Sequence, residues 1–168
     1  PPREQVMETR DKRADMVGWD ETFTAAGEGS GWQQEGDILR YLQAVYRDGE
    51  YVCICPTLRG QGISRPASEL ITAIKAQGIA AIGDYERDTG CWIIHNPLDG
   101  KGRKDANVTE YRHVLVECDD LPAEQQLAII EELQLPCAAV VDAGNKSIHA
   151  IVRIDAGNDR DLFKTRVE

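Results

Sequence analysis

The stretch from Arg112 to Asp155 constrains the fold of this chain more than any other. Its apolar residues run together in His113-Val-Leu-Val116, recur at helical spacing from Leu121 to Leu133, and cluster again in Cys137–Val141 and Ile148–Ile154. The period changes from about two to about 3.6 and back, which predicts a β-α-β-β unit. Successive side chains of a strand point to opposite faces, so Glu117 and Asp119 share one face, and Ser147 and His149 share one face of theirs. Ile148 and Ala150 then turn into the core. If the two strands are neighbours in one sheet, two carboxylates, a hydroxyl and an imidazole meet on a common polar surface.

Paired carboxylates at i and i+2 suit a hard divalent cation, because Mg²⁺ and Mn²⁺ prefer oxygen ligands and complete their shell with water and substrate phosphates. Glu117 follows His-Val-Leu-Val in what reads as a central strand, like that of Ser147 and His149, where an unpartnered charge is costly to bury. Asp120, with Pro122 in the first turn, is expected to cap the following helix.

These residues resemble the archaeo-eukaryotic primase superfamily, in particular the primase-polymerase domains carried by phages and mobile elements. Its acidic-x-acidic motif at a strand end is matched by Glu117-Cys118-Asp119, and its Ser-x-His motif on a later strand by Ser147-Ile148-His149. The likeness is most specific from about Trp92 to Asp155. It implies an α+β fold with an RRM-like catalytic core, a mixed or antiparallel sheet flanked by helices. It also implies that Glu117 and Asp119 are catalytic and hold Mg²⁺ or Mn²⁺, and that Ser147, His149 and, with them, Lys146 contact the phosphates of a nucleoside triphosphate. The implied activity is template-dependent nucleotidyl transfer, DNA primase or polymerase chemistry by a two-metal mechanism. A third acidic residue normally completes the site from a later strand; the sequence ends before one, and Asp155 is a poorly placed substitute. Single-stranded DNA template or primer-template would be the partner, with a helicase domain or another replication protein. The turn Asp142-Ala143-Gly144-Asn145 departs from the paired glycines usual in that family.

The chain has 168 residues, enough for one domain with a sizeable core. Its 19 basic and 29 acidic residues give a formal charge of −10, which opposes non-specific binding to a phosphate backbone. One cationic cluster runs against that balance: Lys101, Arg103 and Lys104, with Arg112, offers a contact to template. The loop that carries it, Asp99 to Asn107, has the composition of a mobile connector. The 5 cysteines are odd in number, with no signal peptide, and point to a reducing cytoplasm; no apolar run approaches the roughly 20 residues a spanning helix needs. Cys53-x-Cys55 and Cys91-x3-His95 match no common zinc spacing and read as strand residues.

Residues 1–36 form a charged, then glycine-rich extension in which Trp19, Phe23 and Trp32 pin a loop, and 37–168 the primase-polymerase-like domain. A helix capped by Asp37 carries Ile38, Leu42, Val45 and Tyr46; strands are expected at Tyr51–Cys55, Ile79–Ile82 and Cys91–His95, and a helix over 67–76. A last helix begins near Asp159. The chain opens on Pro1-Pro2 and stops within a helical pattern at Val167-Glu168, and reads as a fragment truncated at its C-terminus. Two other readings compete: an inactive docking module of a replication protein, for nucleic acid or protein, and a metal-dependent nuclease, since the same groups also serve hydrolysis.

Overall fold

The computed structural model describes residues 34–55, 62–85, 91–143 and 147–168. The expected anchors in the N-terminal extension, and Lys146 in the turn before Ser147, lie outside them.

The fold is α+β, and the described residues form four helices and two three-stranded antiparallel sheets. Helix α1, Gln34–Val45, starts earlier than the Asp37 cap suggests and turns Leu42 and Val45 inward. Gly49, at φ 82°, reverses the chain into β1, Tyr51–Cys55. That strand is the centre of its sheet, between β2, Ile63–Pro66, and β3, Trp92–Ile93. Being central, it is covered on both faces: Val52 and Ile54 join Leu42 and helix α2, Ala67–Gln77, while Cys53 and Cys55 pack with Leu98. Leu70 and Ile74 of α2 are fully enclosed in the first cluster, and each such side chain contributes about 1.5–3 kcal/mol relative to exposure.

Two further expectations fail in this half. Ile79–Ile82 is no strand but part of a 3-10 turn, Gly78–Ile82, lying between glycines at φ 69° and 91°. Its Ala81 and Ile82 are buried in the core, and a four-residue apolar run serves either conformation. The loop from Asp99 to Asn107 is also no slack connector. Asp99 accepts from the Lys101 backbone N–H at 2.8 Å and from the Asn107 side chain, whose own Oδ1 accepts from Lys104 N.

The second sheet has the order β4-β6-β5, with β4 His113–Val116, β5 Cys137–Asp142 and β6 Ile148–Arg153. Both outer strands run antiparallel to β6 and so are parallel to each other. Helix α3, Ala123–Glu132, is thus a crossover from β4 to β5 with β6 inserted between them, a split β-α-β unit. The β-α-β-β reading holds, but the carboxylate strand is an edge strand rather than a central one. The central position belongs to β6, whose Ile148, Ala150, Ile151 and Val152 are buried. Asp120 does not cap α3: Pro122 holds the cap position, with no side-chain hydrogen bond. Helix α4, Arg160–Val167, is capped by Asp159, whose Oδ1 accepts from Asp161 N and Leu162 N.

Candidate active site

Register places the site. In the β4–β6 ladder Val114 faces Val152 and Val116 faces Ala150, one step up β4 for each step down β6. Carried beyond the end of β4, the same register sets Glu117 opposite His149 and Asp119 opposite Ser147. Directly opposed residues of an antiparallel pair lie on the same face, with side chains close enough to touch. They do touch: His149 Nε2 lies 2.9 Å from Glu117 Oε2, and Ser147 Oγ donates to Asp119 Oδ1 at 2.7 Å. Ile148 and Ala150 turn the other way and are buried.

The pairs are open to a ligand. His149 and Glu117 side chains are 34% and 47% exposed, and Asp119 is exposed. Two carboxylates on successive same-side positions present hard oxygen donors in the arrangement a divalent cation with several retained waters uses. The donors fit such an ion in kind. Among the described residues no third His, Cys, Asp or Glu joins them in a metal-holding group, so an ion there would complete its shell with water and substrate oxygens. Asp155 does not supply the third. It lies beyond the far end of β6 from His149, roughly 20 Å away at about 3.3 Å per residue, in a left-handed conformation with φ 54°.

The cationic cluster divides. Lys101, Arg103 and Lys104 are exposed, and Arg103 Nη1 reaches Cys55 Sγ at 2.9 Å. Arg112 is no template contact: its side chain is buried and forks onto Glu50, with Nη1–Oε1 at 2.6 Å and Nη2–Oε2 at 2.7 Å. It also donates to Glu110 and to the Val45 carbonyl. This arginine joins the end of α1 to the entry of β4. Burial disfavours ionised Glu50, yet the Arg112 hydrogen bond and the Arg47 backbone N–H hold its carboxyl below its ordinary value.

Two side-chain amides that sequence reasoning passed over brace the surroundings of the acidic strand, one at its start and one beyond its end. Asn96 Oδ1 accepts from Arg112 N and His113 N, and its Nδ2 donates to the His113 carbonyl, each at 2.9 Å. Gln126, buried on α3, donates to the Leu121 carbonyl at 2.6 Å and accepts from Ile148 N at 2.8 Å. Neither carries a spacing signature; an Asn before Pro97 and a Gln in a Glu-Gln-Gln run read as loop and solvent-facing helix. His113, next to this network, is buried, and desolvation pushes its imidazole down to about 4, against the His95 carbonyl contact that favours protonation.

Fold and site together define an α+β domain with a cross-strand carboxylate, hydroxyl and imidazole cluster at a strand end. Compared with known proteins, the chain matches no family model, no curated protein and no solved structure. No helix among the described residues is long and apolar enough to cross a membrane.

Proposed function

We propose that this domain binds a nucleoside triphosphate for nucleotidyl transfer, as a DNA primase or polymerase of the primase-polymerase kind. The observation that carries this reading is the pairing of Glu117 with His149 and of Asp119 with Ser147 across one sheet face. The split β-α-β unit formed by β4, α3, β5 and β6 supports an RRM-like core.

Glu117 and Asp119 would hold Mg²⁺ or Mn²⁺, which in such sites activates a 3′ hydroxyl and stabilises the leaving pyrophosphate. Without ligand each phosphate-binding group rests on a carboxylate. Released from Asp119 and Glu117 once those carboxylates are engaged, the Ser147 hydroxyl and the His149 imidazole turn to phosphate oxygens. An imidazolium there adds a charge-assisted contact. Catalysis on this surface is positioning and charge stabilisation. Single-stranded template would run toward Lys101, Arg103 and Lys104.

A docking module without turnover is the second reading, favoured by the distance of Asp155 from the cluster. Thermal melting separates the two. Mn²⁺ and a nucleoside triphosphate together should raise the melting temperature more than the sum of their separate effects, because each improves the site for the other. Loss of that synergy would leave docking. Pyrophosphate released with a lengthened strand marks the polymerase; strand cleavage without pyrophosphate marks a nuclease.

A further inference from the structure

Beyond Val116 and Ala150 the β4–β6 ladder stops, yet both motifs of the site lie past that point. The backbone no longer ties the Glu117–Asp119 segment to the start of β6. Their own side chains do, but those bonds run between the groups a metal-bound triphosphate would claim. Ile148 N–H, between Ser147 and His149, faces the side β4 would have occupied; in register it stands opposite Cys118. Gln126 Oε1 accepts from that N–H at 2.8 Å, in place of the missing strand. Through Nε2 the same amide donates to the carbonyl of Leu121, two residues after Asp119, at 2.6 Å. One buried amide thus links the segment after the acidic motif to the middle residue of the Ser-x-His motif.

We infer that Gln126 is a positioning residue: it holds the two motifs in register when ligands take the carboxylates from Ser147 and His149. It touches no substrate. The inference rests on the nucleotide-binding reading for its purpose, while the brace itself is a property of the fold. A strand end without it would keep its motifs aligned only until the site fills, when alignment matters most.

Gln126→Met, similar in length with no hydrogen-bonding amide, tests this beside Ile130→Val, which loosens the same buried face of α3 without touching either bond. Amide hydrogen exchange is read first. In Gln126→Met the Ile148 N–H should exchange about tenfold faster than in the parent, after correction for global stability, while Ile130→Val leaves it protected. Nucleotide binding in Mn²⁺, by fluorescence anisotropy, should weaken by about tenfold or more in Gln126→Met and stay within about twofold in Ile130→Val. Should Gln126→Met not fold, Gln126→Glu decides: neutral, its carboxyl can make both bonds, whereas ionised it cannot donate to Leu121. Its affinity relative to the parent should fall as pH rises through that ionisation. Unchanged Ile148 exchange, or equal binding losses in Gln126→Met and Ile130→Val, overturns the brace. A parent that binds no nucleotide in Mn²⁺ overturns the proposed function instead, and the exchange result still decides the brace.

Discussion

Ser147 and Asp119, 28 residues apart in sequence, are joined by a 2.7 Å hydrogen bond across the open end of a sheet. The neighbouring bond from His149 to Glu117 repeats the arrangement one rung nearer the ladder. Each phosphate-binding group of the proposed site is therefore stored on a metal-binding group, and the two roles are separable by substitution.

Asp119→Asn keeps shape and removes charge. The residue is exposed, so the fold should survive, with unchanged circular dichroism, while Mn²⁺ binding measured by calorimetry falls sharply and nucleotide incorporation, where present, drops by orders of magnitude. His149→Ala should leave Mn²⁺ binding close to the parent and weaken nucleotide by about 1.5–3 kcal/mol, the range of a charge-assisted hydrogen bond. If both variants bind metal and nucleotide like the parent, these residues are not a nucleotide site.

The period of two in Glu117-x-Asp119 and Ser147-x-His149 suffices to put each pair on one face, and the apolar runs around them suffice for the β-α-β-β order. What sequence does not carry is strand rank. His-Val-Leu-Val reads as central, but Leu115 and Val116 are exposed at 36% and 42%, because β4 is an edge; Asn96 holds its first residue and Gln126 ties the segment after it to Ile148. Such amide contacts join residues far apart in the chain and leave no periodic trace. Arg112 misleads for a related reason: its partner Glu50 lies 62 residues away, so locally it reads as one more cation beside a basic loop.

That Arg112–Glu50 fork carries a stability prediction. Glu50→Ala strands a buried guanidinium with Glu110 and the Val45 carbonyl as its remaining partners, and should cost about 3 kcal/mol, the low end for breaking a buried pair. Urea unfolding measures it. A loss below about 1 kcal/mol, the range of exposed pairs, would mean the fork is solvated in solution.

Acid should unfold the domain in two stages. His113 titrates near 4 when folded and near 6.5 when unfolded, so the unfolded chain binds the extra proton first and stability falls as pH drops from 6.5 to 4. Arg112, His95 and Arg153, whose charges face His113, act in the same direction by disfavouring its protonation. Glu50, held below its ordinary 4.5, contributes stability that is present above that value and lost as pH falls through its folded value. Urea midpoints measured from pH 8 to 3 should thus decline from about 6.5 downward, and His113→Asn should flatten the upper part of the decline. A flat profile between 6.5 and 4.5 in the parent would rule out a neutral buried His113.

The basic loop offers the last test, because its charge and its shape can be removed separately. Lys101, Arg103 and Lys104 are exposed, while Asp99 and Asn107 beneath them set the backbone; the Lys101 N–H holds the Asp99 carboxyl below its usual range. If these cations meet template phosphates, Lys101→Ala and Lys104→Ala should each reduce the slope of log affinity against log salt by about 0.7 for a single-stranded oligonucleotide, equally for all sequences. Asn107→Ala keeps every cation but releases the Lys104 N–H and the Asp99 carboxylate from the Asn107 amide. It should therefore weaken binding at low salt with little change in slope, since the charges remain but must be ordered on contact. Anisotropy titrations of labelled oligonucleotide from low to physiological salt distinguish the two effects. Identical affinity and slope for the parent and the Lys101→Ala, Lys104→Ala double variant would remove these two lysines from the template path.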